Sequence, residues 1–413
     1  MRVAWTIVGL GAVAVVVLLL APVGGGTGPT TPSLADRPGP EATVPVLEAS
    51  QRATLLGASE PPPSTAPLAP ATSSGPTTTA LAGPVLVPVP RSAPALSAPE
   101  LVEILYRGQL GRLAPDEIVV EPAADPPAAL ADGVAPLTGL PVDPSLLDRP
   151  AILVKIDNSP RARPQAGLVE ADLVYEQLVE GGTTRFAAVL HSADAPVGPV
   201  RSFRSTDIGL LSPLGEPMLS WSGANAVFAE LLRRQPVIDR GTAHAQYWRD
   251  GTRGAPHNLM TDTTALREGT VGAPPPPHFV FRSGDEAVGG TERPTVDVRL
   301  GNSTVSWRWN GVQWERWTGS IPHSTTVGPV ITTDNVVLQR VRYLPSGLED
   351  AAGSSVPEAE LVGTGSATIL TAGRAVEATW TRSTLGSVTT FTDAEGRHVG
   401  LTPGRTWVVL VEG

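Results

Sequence analysis

The stretch that decides the fold runs from Ala151 to Arg204 and reads AILVKIDNSPRARPQAGLVEADLVYEQLVEGGTTRFAAVLHSADAPVGPVRSFR. Apolar runs typical of buried strands alternate in it with short clusters of Arg, Asp, Glu, Asn and Gly. The stretch holds six basic and six acidic residues. Charges of both signs at this density favour specific ion pairs or a shaped polar site over a diffuse charged surface.

The apolar runs of this stretch and of the chain after it predict interleaved strands and helices. We expect strands over 151–156, 173–179, 184–191 and 218–221, and helices over 205–214 and 224–234. Gly181 and Gly182 lie between the second and third strands and supply the positive φ that a tight hairpin needs. The pattern predicts a mixed α/β first domain over 135–285.

From about Thr291 the pattern changes to short alternating runs, which predict a β-rich domain over 291–413. The chain as a whole is therefore expected to be α+β. Asn310-Gly311 predicts a two-residue hairpin turn that pairs Trp309 with Val312 and Trp307 with Trp314. These tryptophans fit a core or interdomain contact, and stacking on sugar rings is the alternative.

Several motifs in one order carry a family resemblance: KIDN, ARPQ, GL, AD and VYE within 155–176, then VEGG, TR and GPVRS-x-R up to Arg204, then APHNL at 255–259. The chain from about Ala135 to its C-terminus resembles the DUF3048 family, the YerB-like proteins of bacterial cell envelopes. The resemblance implies an exported protein, usually a lipoprotein, whose biochemical role is not established. This sequence lacks the lipid-bearing Cys of that family.

The first 134 residues predict an anchor and a spacer. Residues 1–23 hold one Arg and a long apolar run, which fits an uncleaved signal anchor or, alternatively, a signal peptide. Residues 24–96 are rich in Pro and lack Phe, Tyr and Trp, so we expect a disordered tether. Residues 97–134 predict a short helix followed by a second linker. We expect a single-pass membrane protein with the bulk extracytoplasmic, or a secreted protein after signal cleavage.

Composition narrows the classes of function. The net charge of -10 argues against general nucleic-acid binding, because phosphate neutralisation needs a basic surface. The absence of Cys excludes disulfides, thiolate metal sites and a Cys nucleophile. The folded part contains none of the usual nucleotide-binding, metalloprotease or serine-hydrolase motifs. We expect no cofactor and no metal.

Polar residues at predicted strand ends and loops form the candidate ligand site. Arg201, Ser202 and Arg204 precede a predicted helix, whose N-terminus favours anions. Internal pairing of the arginines with acidic residues is the open alternative. The full predicted set is Asp157, Asn158, Arg161, Arg163, Gln165, Glu176, Arg185, Arg201, Ser202, Arg204, His257 and Asn258.

These observations favour a membrane-tethered binding protein over an enzyme. The expected partner is an anionic or polyhydroxy ligand of the cell envelope, or an envelope protein. One alternative is an envelope hydrolase that uses His257 with Asp157 or Glu176 for proton transfer. Another is a protein-interaction scaffold that uses the tryptophan hairpin.

Overall fold

A computed structural model describes residues 124–413 of the chain, except 225, 244–245, 284–285, 329 and 351–352. The predicted anchor, the tether and most of the segment predicted as a short helix and linker lie outside the described residues. No helix in the described part is long and apolar enough to cross a membrane.

The described residues form many strands and few helices. The strands are β1 (Ile152–Asp157), β2 (Leu173–Val179), β3 (Thr183–Leu190), β4 (Pro196–Val197), β5 (Met218–Ser220), β6 (Ile238–Asp239), β7 (Tyr247–Arg249), β8 (Leu259–Asp262), β9 (Thr291–Glu292), β10 (Thr295–Leu300), β11 (Ser303–Trp309), β12 (Trp314–Thr318), β13 (Ile321–Pro322), β14 (Thr332–Thr333), β15 (Asn335–Val341), β16 (Tyr343–Glu349), β17 (Ser355–Ala359), β18 (Gly363–Thr371), β19 (Arg374–Arg382), β20 (Thr390–Thr392) and β21 (Thr406–Glu412). The α-helices are α1 (Thr206–Leu211), α2 (Ala226–Arg233) and α3 (Thr263–Arg267). The predicted α+β class with a β-rich C-terminal region is confirmed.

Eleven of the described strands form one mixed sheet. Ten follow the order β20-β19-β18-β15-β21-β2-β3-β1-β5-β6, and β9 pairs with β19. β1, β5 and β6 are parallel neighbours, as are β2, β21 and β15. β3 is antiparallel to both β1 and β2, so all six of these strands run in the same direction.

The last strand of the chain lies in the middle of this sheet. β21 pairs in parallel with β2 on one side and with β15 on the other. Strands from both predicted domain ranges, 135–285 and 291–413, therefore share one set of backbone hydrogen bonds. The central strands alternate their apolar side chains between two buried faces, as a sheet covered on both sides requires.

Different elements cover the two faces of the large sheet. Helices α1 and α2 and the β16–β17 hairpin pack on one face. A smaller sheet, ordered β10-β11-β12-β13 with β14 on β12, packs on the other. Trp307 and Trp314 of the smaller sheet are fully buried in this second layer, where Trp307 packs edge-on against Trp407 of β21. They are core residues, so they offer no exposed patch to a partner.

The predicted register of the tryptophan hairpin is wrong. Trp309 pairs with Trp314, and Trp307 pairs with Arg316, across a four-residue loop from Asn310 to Gln313. The Asn310 side chain accepts hydrogen bonds from the backbone N–H groups of Val312 and Gln313 and so closes a longer turn. The shift is by two residues, so the tryptophans keep their predicted face.

We predict that the two halves of the described chain unfold together, because β21 joins them. Leu410→Ala removes a fully buried side chain from β21 and should lower the free energy of unfolding by about 2–5 kcal/mol in a urea titration. A matched loop variant, Val312→Ala, removes a side chain from a position that is 78% exposed and should change it by less than about 0.5 kcal/mol. Two separate transitions, with only one shifted by Leu410→Ala, would contradict this prediction.

Candidate functional site

The candidate site lies at one edge of the large sheet. β1, β2, β5 and β6 run in the same direction, so their carboxyl ends meet there. Asp157 ends β1, Glu180 follows β2, Trp221 follows β5 and Asp239 ends β6. Ligands of open sheets with parallel strands commonly bind outside this edge, where loops carry the variable side chains.

Three parts of the chain meet at the carboxylate of Asp157. Its Oδ1 accepts a hydrogen bond from the backbone N–H of Ser159 at 2.8 Å. Its Oδ2 lies 2.7 Å from Nδ1 of His257 and 3.3 Å from Nε of Arg201. The hydroxyl of Ser159 lies 3.0 Å from the same Nδ1. The structure thus brings together three residues of the predicted set, Asp157, Arg201 and His257, and adds Ser159.

The environment keeps Asp157 ionised. Burial alone would raise the pKa of its carboxyl, but the Ser159 N–H, the His257 ring and the Arg201 charge outweigh burial and lower that pKa. An ionised carboxylate accepts hydrogen bonds, so Nδ1 of His257 carries a proton and donates it to Asp157. The contact fixes the orientation of the imidazole ring and leaves Nε2 facing away from Asp157.

Three groups around Asp157 remain open to a ligand. Among the described residues, Nε2 of His257 and the two terminal nitrogens of Arg201 have no hydrogen-bond partner, and none of them is a buried atom. The side chain of Arg201 is 27% exposed and that of His257 is 15% exposed. Because Nδ1 of His257 donates, the Ser159 hydroxyl is also free to give its own proton to a ligand.

Arg185 and Arg204 form a second cluster with Glu180. Both guanidinium groups bond to Oε1 of Glu180, and Nε of Arg204 lies 2.8 Å from Oε2. Gly181 and Gly182, with φ of 70° and 66°, let the chain turn tightly after Glu180. Burial alone would raise the pKa of Glu180, but Arg204 and Arg185 outweigh it and lower the pKa to about 2. These two arginines pair internally, as in the alternative interpretation of the sequence.

The predicted anion cradle before α1 is filled by the protein itself. Oδ2 of Asp207 accepts the backbone N–H of Arg204 at 2.7 Å. Oδ1 of Asp207 lies 2.6 Å from Nζ of Lys155, a fully buried side chain whose pKa burial lowers to about 8 against the opposing pull of Asp207. The carboxylate of Asp207 therefore occupies the position in which the sequence predicted a ligand. Ser202 lies nearby, and its backbone oxygen accepts from Arg185.

Glu176 lies in the interior. It is fully buried and contacts Arg316 of β12, with Oε1 2.7 Å from Nη2, and its oxygens also accept from Thr184 and Trp407. A carboxylate in this position has no access to a substrate. The hydrolase alternative therefore keeps His257 and Asp157 and loses Glu176 as a proton-transfer group.

The remaining predicted residues have supporting positions. Asn158 contacts Thr184 and accepts from Arg163, and the buried Gln165 donates to the backbone oxygen of Asp157 at 2.9 Å. Asn258 accepts from Arg249 and donates to the backbone of the loop 250–253. Arg161 is exposed beside the site loop. Of these residues, only Arg161 offers its charged group freely to solvent.

Sequence reasoning missed several residues that build the site. They are Ser159, Arg316 and His323. Ser159 directly follows the predicted residue Asn158, and its position just after β1 was the available signal. Across 124–413, apart from its short gaps, no group of three or more His, Asp or Glu residues is arranged to hold a metal ion.

Comparisons with known proteins agree with this architecture. Residues 137–274 match the N-terminal domain, and residues 296–408 the C-terminal domain, of the family described as "Protein of unknown function (DUF3048)". A protein of Bacillus subtilis (strain 168) named "Putative lipoprotein YerB" is 27% identical over 290 residues, which cover 67% of this chain and 86% of that protein. The crystal structure of the YerB protein from Bacillus subtilis aligns with a TM-score of 0.59 at 22% identity, covering 68% of this chain and 97% of that chain. This structural likeness supports the fold.

We predict that Glu180 stabilises the fold in a pH-dependent way. Glu180→Gln leaves Arg185 and Arg204 without their carboxylate and should lower the free energy of unfolding by about 3 kcal/mol at pH 7. The folded pKa, about 2, lies below the usual 4.5, so the contribution is complete above pH 4.5 and is lost as the pH falls towards 2.

Urea titrations of wild type and Glu180→Gln between pH 7 and pH 3 measure this effect. The difference between the two proteins should shrink as the pH falls. The matched control is Glu292→Gln, which removes a largely exposed partner of Arg374 and should cost less than about 0.5 kcal/mol. A difference for Glu180→Gln that is constant with pH would rule out the ion pair as its source.

Proposed function

This chain belongs to the DUF3048 family, and we propose that it is a cell-envelope protein that binds an anionic ligand at Arg201, His257 and Ser159. The supporting observation is the set of open donors around Asp157. Arg201 offers two terminal nitrogens in a planar fork that suits a phosphate or carboxylate. Ser159 offers a hydroxyl and His257 offers Nε2, which donates when the ring is protonated.

Asp157 orients the donors of this site without occupying the atoms that would bind the ligand. Its carboxylate forms an ion pair with Nε of Arg201 and accepts a hydrogen bond from Nδ1 of His257, and these contacts hold both side chains in fixed orientations. Fixed donors lose little conformational entropy when a ligand binds, which favours affinity. The carboxylate lies behind them, only 6% exposed, so it presents little negative surface to an incoming anion.

The envelope location is part of the proposal and has two supports. A relative that covers two thirds of this chain carries the name "Putative lipoprotein YerB". The apolar run near the N-terminus of this chain is long enough to serve as an anchor, and no Cys exists to carry a lipid. A membrane-anchored protein outside the cytoplasm would meet phosphate- and carboxylate-bearing wall polymers, which are the proposed ligand class.

We predict that Arg201→Ala weakens the binding of anionic envelope polymers by about 10- to 100-fold, because it removes the charged fork. Isothermal titration of the full chain with a soluble teichoic-type polymer and with glycerol 1-phosphate measures the loss. Arg374→Ala is the matched control, since Arg374 is 32% exposed and lies outside the site. Equal affinities of wild type and Arg201→Ala for both probes would contradict the proposed site.

A hydrolase is the second candidate function, and one observation favours it. Asp157 holds His257 through Nδ1 at 2.7 Å, so Nε2 is directed away and is suited to act as a general base. Asp157 would then orient the ring and stabilise its protonated form. Glycoside cleavage needs two carboxylates at the substrate, and of the two in the predicted set, Asp157 and Glu176, the second is fully buried. Ester or phosphodiester hydrolysis therefore fits better.

For this candidate we predict turnover of a wall-polymer ester or phosphodiester panel that falls at least 100-fold in His257→Gln, because Gln cannot act as the base. The melting temperature of the variant should stay within a few degrees of wild type. Product release followed by chromatography measures turnover. A wild-type protein that binds a wall polymer through Arg201 and leaves it intact over a day would exclude the hydrolase and retain the binding protein.

A further inference from the structure

We propose that the anion bound at Arg201 is carried by a sugar, whose ring stacks on Trp221. This inference rests on the proposed anion site and names the ligand class of that site. Trp221 directly follows β5, and β5 pairs in parallel with β1, whose end carries Asp157. The backbone N–H of Ser222 donates to the backbone oxygen of Arg201 at 3.0 Å. The segment that carries Trp221 therefore lies directly against the segment that carries Arg201.

Two contacts fix the indole of Trp221, and a third holds its hydrogen-bond acceptor in place. Its Nε1 donates to Oδ1 of Asp239 at 2.8 Å, and the backbone N–H of Gly241 donates to the same oxygen at 2.8 Å. The ring of Phe203, a fully buried residue, lies 6.2 Å away at 59°. A Cβ at position 241 would lie 2.9 Å from Nε1, so glycine is what allows the chain to close against the edge of the indole.

The strand that leads to the His257 loop also contacts β5, next to Trp221. The hydroxyl of Tyr247, at the start of β7, lies 2.6 Å from Oγ of Ser220, the residue before Trp221. β7 pairs with β8, and the loop that joins these two strands carries His257. The strands and loops that present Trp221, Arg201 and His257 are thus joined directly to one another.

An indole held in this way can stack against the ring of a sugar. Trp221 packs on the core and remains partly exposed, so it presents a rigid apolar surface on the segment that adjoins the Arg201 segment. Sugar rings have an apolar C–H face, and ring hydroxyls find acceptors and donors in polar neighbours such as Ser222. An anionic sugar, with either a phosphate or a carboxylate, could place its charged group at Arg201 and its ring on Trp221. The indole does not contribute a donor to the anion. We therefore assign it to the uncharged part of the ligand, the sugar ring.

Titrations of the full chain with glucose 1-phosphate and with glycerol 1-phosphate test the inference, because both probes carry a phosphate monoester and only one carries a ring. Wild type should bind the sugar phosphate about 5- to 10-fold more tightly. Trp221→Ala should abolish this preference while leaving the affinity for glycerol 1-phosphate unchanged, and Trp221→Phe should keep most of it. Trp317→Ala, which removes a partly exposed Trp from β12, is the matched control and should keep the preference.

The outcomes separate this inference from the proposed function. If wild type binds the two probes equally and Arg201→Ala binds neither, Trp221 does not bind a sugar ring. The proposed anion site would still be supported. Binding that does not depend on Arg201 would overturn both. If Trp221→Ala fails to fold, Trp221→Leu keeps the apolar packing without the indole face and should show the same loss of preference. Glucuronate in place of glucose 1-phosphate distinguishes a carboxylate from a phosphate source, and Trp221-dependent binding of either one supports the inference.

Discussion

The carboxylate of Asp157 is the constraint on which the site depends. It ends β1 and is nearly buried, so it must satisfy its charge with protein partners. It does so with the Ser159 N–H, His257 and Arg201, which come from three loops of the chain. Satisfying one buried charge therefore assembles the donors that remain open to a ligand. A neutral residue at position 157 would leave Arg201 and His257 without a common partner.

The second half of the chain supports the loop after β1. Arg316 of β12 pairs with the buried Glu176 and contacts His323, whose Nε2 lies 2.8 Å from Oε1 of Gln165. Gln165 in turn donates to the backbone oxygen of Asp157. This buried chain of polar contacts joins the smaller sheet to the site. It provides a physical reason for the two matched family domains to occur together in one chain.

Local patterns predicted the buried strands of the stretch from Ala151 to Arg204, but they carry no information on which distant segments pair. The apolar runs at β1, β2 and β3 gave those strands almost to the residue, because burial on both faces leaves a continuous signal. The hairpin register failed because a side chain, Asn310, closes the turn. Asp157 and His257 are 100 positions apart, and Glu176 and Arg316 are 140 apart, so no local spacing indicates either pair. The equal numbers of acidic and basic residues indicated ion pairs but did not specify which residues form them.

Pairing divided the predicted arginines into two roles. Arg185 and Arg204 share Glu180 and serve the fold, whereas Arg201 keeps its terminal nitrogens open. The same guanidinium chemistry thus gives a structural clamp and a candidate binding group a few residues apart. The nitrogens that have protein partners decide between the two roles: the terminal nitrogens of Arg185 and Arg204 are all engaged, whereas Arg201 is engaged only through Nε.

The most direct measurement is a crystal structure of the protein soaked with glucose 1-phosphate. We predict a phosphate oxygen about 3 Å from the terminal nitrogens of Arg201 and from Nε2 of His257, with the sugar ring over Trp221. Phosphate bound elsewhere on the protein, with the Asp157 cluster unchanged and unoccupied at saturating ligand, would contradict it.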